Sequence, residues 1–153
     1  MGTSNNVIDL SALKKKQFDV NGKVLELDTA DLNILARFQS MYPTLYEEGA
    51  KLAKIEDMVK NSTADDGQNL TDMVQVLNDA DKAMRDAIDF IFDSNVCEIC
   101  IDHGSLFDPI NGEYRFEHVI NALLPLYEKD LQEETKKIQQ RVKKHTDKYT
   151  KKK

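Results

Sequence analysis

The residues best equipped for chemistry lie in one short string, Cys97, Cys100 and His103, spaced C-x-x-C-x-x-H. Thiolate sulfur and imidazole nitrogen are the ligands of tetrahedral zinc, and a closed site needs four of them. The chain has two cysteines and three histidines, so only His118 and His145 could complete the set, and no second cysteine pair exists to do so. On a helix, Cys97 and Cys100 share a face beside Val96 and Ile99, and buried small apolar residues account for that pattern more simply than a metal does. A redox pair of the thioredoxin type needs a βαβ setting, which the flanking sequence lacks. Reduced thiols in a cytosol are the expectation, with no metal and no cofactor.

Other candidate constellations are weaker. Asp65 and Asp66 could join Asp72 around a divalent ion, but they sit in a small, polar stretch that reads as a solvated loop. In SLFDPINGEY (Ser105 to Tyr114), a calcium loop with Gly112 at its sixth position would start at Phe107 and end at His118, where acidic residues are required. A connecting loop or a second short hairpin is expected there, with Leu106, Phe107 and Ile110 in the core. The sequence has no Gly-rich phosphate loop, no G-x-S-x-G and no H-E-x-x-H. The acidic pairs Glu47 with Glu48 and Asp86 with Asp89 read as solvated helix faces. An enzyme is not expected.

The elements that would position these residues are legible from periodicity. From Leu70 to Phe92, apolar residues step by three and four (Met73, Val76, Leu77, Ala80, Met84, Ala87, Ile88, Ile91) against a face of Asp79, Asp81, Arg85, Asp86 and Asp89. Thr71 or Asn69 is the expected cap of this central helix. Before it, Gln17 to Leu27 carries Asn21-Gly22 between two alternating runs, the strongest short-range hairpin signal. A two-residue loop pairs Val20 with Lys23 and Phe18 with Leu25, which puts Phe18, Val20, Leu25 and Leu27 on one face. The open edge of such a ribbon is a candidate for oligomerisation.

Asp28 is the expected cap of a long helix through Lys60, kinked or restarted at Pro43, with Leu32, Leu35, Phe38, Tyr42, Leu45, Leu52, Ile55 and Met58 expected on one core-facing stripe. Asn61 to Asn69 reads as a surface linker that returns the chain antiparallel. After the central helix, Ser94 or Asp93 caps a short helical turn closed by Gly104. The last helix starts near Tyr114, bends at Pro125 and loses its apolar residues beyond Leu131. The fold expected is mainly α, a helical domain with an N-terminal β-hairpin and a long C-terminal helix. Residues 17–131 form a single domain, 1–16 are disordered or loosely docked, and 132–153 are a basic helical extension or tail.

Charge is uneven along the chain. The net formal charge is −6, yet residues 129–153 carry +6 and the rest −12. An acidic body disfavours general nucleic-acid binding, and the basic end suits an acidic partner. No apolar run approaches the ~20 residues of a membrane span, and the first residues lack the pattern of a secretory signal. With the core residues assigned, partner binding is expected at the hairpin (Phe18, Val20, Leu25, Leu27) and the basic end (Lys143, Lys144, Lys148).

The order of these elements resembles a known family. An F-D-V-N-G-K hairpin, a long helix, a central helix ending A-I-D-F-I-F-D (Ala87 to Asp93), a cysteine-bearing turn, a helix F-E-H-V-I-N-A-L-L-P-L-Y (Phe116 to Tyr127) and a basic end R-V-K-K-H-T-D-K-Y-T-K look like the small tail assembly chaperones of long-tailed bacteriophages of Gram-positive hosts. The resemblance implies a non-enzymatic factor in the host bacterial cytoplasm that binds the tape measure protein, keeps it soluble and yields to the tail tube protein. It also implies homo-oligomers, whose repeated copies add avidity along a long client. The alternative from another class is a phage or bacterial regulatory or inhibitor protein that binds through its acidic surface.

Overall fold

Asn21 and Gly22, both with positive φ (52° and 86°), turn the first hairpin. β1 (Lys16–Val20) and β2 (Lys23–Leu27) pair antiparallel in the register expected, Val20 opposite Lys23 and Phe18 opposite Leu25. The computed structural model describes residues 6–61 and 67–150, with the side chains of 68, 69 and 147–150 excepted. The helices that follow are α1 (Asn33–Asn61), α2 (Gly67–Phe92), α3 (Val96–Cys100) and α4 (Arg115–Thr150). Between the last two lies a second hairpin, β3 (Pro109–Ile110) with β4 (Glu113–Tyr114). Helix accounts for 69% of the chain, so the fold is mainly α, with an N-terminal hairpin and a long C-terminal helix.

The central helix is the pillar of this arrangement. Ala80, Met84, Ala87, Ile88, Ile91 and Phe92 are buried at helical spacing, which is the stripe that the periodicity marks out. α1 lies antiparallel against it, because Arg37 near the start of α1 donates from Nε to the Ile91 carbonyl at the end of α2 (2.8 Å). That guanidinium satisfies one of the carbonyls a helix end leaves unpaired, and its Nη2 is held 2.8 Å from Asp31. α4 covers the pillar from another side through Val119, Leu123 and Tyr127, the Tyr127 ring centroid lying 5.7 Å from that of Phe92. Leu25 and Leu27 of β2, with Leu106 and Phe107 of the loop before β3, complete the same core.

Several local expectations are corrected. α2 opens at Gly67, so Thr71 lies inside it and its hydroxyl donates back to the Gly67 carbonyl (3.0 Å) instead of accepting as a cap. At α1 the capping carboxylate is Asp31, which accepts the Asn33 amide at 2.9 Å, while Asp28 serves the preceding turn. Asp93 ends α2 in the left-handed region (φ 49°), and the acceptor at the start of α3 is Asp89, 2.9 Å from the Cys97 amide nitrogen. α1 does not restart at Pro43, which sits inside it, as Pro125 sits inside α4. Ile110 is exposed, because β3 faces outward. Residues 62–66 of the expected linker, with Asp65 and Asp66, lie outside the described residues.

The acidic face of α2 is also less solvated than its sequence implies. Asp81 Oδ1 accepts the amide of buried Leu106 at 2.8 Å, and its other oxygen holds Arg85 at 2.8 Å. Arg85 in turn donates to the Gly104 carbonyl at 2.9 Å. These bonds tie the segment after α3 onto the pillar. Gly104 (φ +81°) holds a backbone conformation that strains any other residue, and a Cβ there would also push aside the side-chain ends of Asp108 and Arg115. Glu48 is likewise buried, at 7% exposure, and is paired with Lys51 at 2.9 Å.

The hairpin is latched to α4. Lys16 Nζ lies 2.6 Å from Asp130, and buried Thr29 donates its hydroxyl to the same carboxylate. Beyond Leu131 every described side chain of α4 is exposed, so residues 132–146 project as a helical extension. On the N-terminal side, Ser11–Leu13 form one 3-10 turn, and Val7, Ile8, Leu10 and Leu13 stay exposed instead of docking. No helix among the described residues is long and apolar enough to cross a membrane.

Candidate partner-binding site

The cysteine string does not assemble a ligand set. Cys97 is buried and its thiol donates to the Arg85 carbonyl (3.7 Å), whereas His103 lies on the surface with Nδ1 2.6 Å from Asp102. His118 donates from Nε2 to the Ile110 carbonyl (2.7 Å) in the second hairpin. Among the described residues no group of three or more His, Cys, Asp or Glu is placed to hold a metal ion. Burial, and then the Asp89 carboxylate, push the thiols of Cys97 and Cys100 above the ordinary range. Only the thiolate is nucleophilic. In the folded protein at about pH 8, Cys97 should therefore be alkylated by iodoacetamide at least about tenfold more slowly than in urea, with Cys100 reacting ahead of it. Peptide mass spectrometry of a labelling time course reads both rates, and equal rates in buffer and urea would contradict the burial.

The hairpin residues proposed for partner binding divide in two. Leu25 and Leu27 are 0% exposed and belong to the core, so they present no surface to a partner. The reason is packing: an isolated two-stranded ribbon is marginal, and here its inner face is covered by α3 and α4. Phe18 and Val20 are half-buried against the same core. Lys143 and Lys144 are exposed on the extension, and the side chain of Lys148 lies outside those described.

A surface that the sequence did not single out is an apolar groove of about 540 Å³ between α1 and α4. One wall is Ile34, Leu35, Phe38, Tyr42 and Pro43, the other Leu124, Tyr127 and Leu131, with Gln39 and Glu128 as its polar residues. Two stripes run along α1. Ile34, Phe38, Met41, Leu45 and Leu52 pack on the core at helical spacing. Leu32, Leu35 and Tyr42, expected on that core-facing stripe, instead lie outside it, Leu32 being 68% exposed. Leu35, Tyr42 and Tyr46, separated by seven and four residues, are 68%, 58% and 70% exposed. Seven and four are helical repeats, so these three side chains form one outward row. The signal was present as apolar residues beyond the width a single core-facing stripe requires.

A smaller cavity of about 380 Å³ lies between Val20 of the hairpin, Cys100 and Ile101 after α3, and Val119 and Leu123 of α4. His103 and His118 stand at its edge but are engaged as described, the former also by Arg115, which donates to its carbonyl. The larger groove is thus the site where apolar side chains are both exposed and gathered. No family model matches the chain, and no curated protein or solved structure is detectably similar to it.

Proposed function

We propose that this protein is a non-enzymatic tail assembly chaperone of a long-tailed bacteriophage, which holds amphipathic helices of the tape measure protein in the groove between α1 and α4. The observation that carries this reading is the outward row of Leu35 and Tyr42 beside an open apolar groove, on a domain whose core is closed without them. A helix laid in such a groove offers anchors at three- and four-residue spacing. An exposed aromatic residue such as Tyr42, once covered by a client helix, is the kind of side chain that dominates binding energy. The acidic body keeps the complex soluble while the client is covered. Release follows when the polymerising tail tube protein competes for the same client surface. The order of hairpin, helices and basic end, which resembles the family, supports the assignment of the client class.

Coexpression with a helical fragment of the tape measure protein tests it. The unaltered chain should co-purify with the fragment, and Tyr42→Glu and Leu35→Glu should each weaken the complex by about tenfold or more, since a charge cannot enter an apolar contact unpaired. Both positions are exposed, so circular dichroism should show unchanged helix content. Unchanged binding by both folded variants would remove the groove from the mechanism. Absence of any complex would remove the chaperone reading itself.

A further inference from the structure

We infer that the exposed extension of α4 is a docking surface for a second copy of this chain, the two extensions lying antiparallel over residues 131–142. The extension carries an apolar seam that stays exposed among the described residues. Leu131 stands at the edge of the groove, and Thr135, Ile138 and Val142 follow at intervals of four, three and four. Ile138 and Val142 are 53% and 52% exposed. A three-four alternation is the seam along which helices pair knobs into holes.

Charge decides which partner fits and in which direction. The near part of the extension, residues 128–134, is acidic, with Glu128, Asp130, Glu133 and Glu134 against Lys129, and the part beyond it is basic, with Lys136, Lys137, Arg141, Lys143 and Lys144. A parallel pair would set like charge beside like. An antiparallel pair sets the basic far end of each copy against the acidic near end of the other. In that direction the seam aligns Thr135 with Ile138 of the second copy and Leu131 with Val142 of the second copy. The flanking positions then bring Glu134 to Arg141 of the second copy, and Gln132 to Gln139 of the second copy, twice each by symmetry. Glu134 is paired within its own helix with exposed Lys137 at 3.2 Å, a contact that it can exchange cheaply. The overlap is about 17 Å long at the α-helical rise, so the dimer is weak and concentration-dependent.

Sedimentation velocity of the full chain, without any client, tests this independently of the chaperone reading. A monomer–dimer equilibrium should appear below ~100 μM. Ile138→Glu should weaken it by about tenfold or more. Glu134→Arg and Arg141→Glu should each weaken it several-fold, and the double charge reversal should restore it. A chain monomeric throughout that range overturns the proposal. So does a dimer that Ile138→Glu leaves intact, which would move the interface to the hairpin edge. A double reversal no better than the single changes overturns the antiparallel register. These side chains are exposed, so circular dichroism of each variant should match the unaltered chain, and a variant that loses helix is replaced by Val142→Lys, for which the same loss of dimer is expected.

Discussion

Phe92→Ala is expected to lower the stability of the domain by about 3–5 kcal/mol, the cost of deleting a large buried side chain and leaving a cavity. Phe92 is the last residue of α2 and is 1% exposed. It sits where the pillar, α4 and the start of α1 converge. Its ring stands 5.7 Å from that of Tyr127, tilted by 49°, and the carbonyl of the preceding Ile91 accepts from Arg37. The ring lies in the closed core, so little collapse can refill the space, which places the cost toward the upper end. Urea unfolding followed by circular dichroism reads the loss as a lower midpoint with an unchanged slope. Tyr127 supplies a second readout, because burial pushes its hydroxyl up to about 12. If α4 loosens in the variant, spectrophotometric titration should bring that value back toward 10, the ordinary one. A loss under about 1.5 kcal/mol would mean that α4 does not pack there as described.

Asp130→Ala should cost about 2 kcal/mol at neutral pH, more than an exposed ion pair contributes. The excess comes from Thr29, whose buried hydroxyl loses its acceptor, while Lys16 loses a surface partner. The hydrogen bonds from Lys16 and then Thr29 hold the Asp130 carboxyl below its usual value of 3.8. A depressed carboxylate stabilises the fold above its unfolded pKa, and that contribution disappears as pH falls through the folded one. Lys16 is raised by the same bond, so its share persists until pH climbs beyond the ordinary lysine range. Between about pH 5 and 9 the latch should therefore be constant, and thermal melts should show the variant and the unaltered chain converging only in acid below about pH 4. A pH-independent gap down to about pH 2 would show that Asp130 contributes through packing and not through its charge.

The features legible in the sequence are those set by local chemistry. Asn21-Gly22 fixed the hairpin register because so few residues tolerate positive φ at both turn positions. The central helix was legible because its buried residues repeat every three or four. What escaped was decided by partners far along the chain. Asp81, Arg85 and Asp89 look like a solvated face until α3 supplies the Cys97 amide, and the loop after it the Leu106 amide, that need acceptors. Leu25 and Leu27 looked like candidates for a partner because a hairpin alone cannot say what will cover it. Glu48 reads as solvent-facing because its burial depends on the docking of α1 against α2. The groove stayed hidden for the same reason: Leu35 and Tyr42 are ordinary apolar residues of an amphipathic helix, and only the path of α4 shows that they face outward.

The latch between Lys16 and Asp130 closes a loop of 114 residues. Contacts of such sequence separation form slowly, whereas the α1 and α2 pair is local and can form early. During synthesis the inner face of the hairpin lacks α3 until the ribosome has released residue 100, and α4 with its latch until it has released residue 130. For that interval Leu25 and Leu27, sealed in the finished protein, are exposed on a two-stranded ribbon with open edges, and the unfinished chain is at its most prone to aggregate.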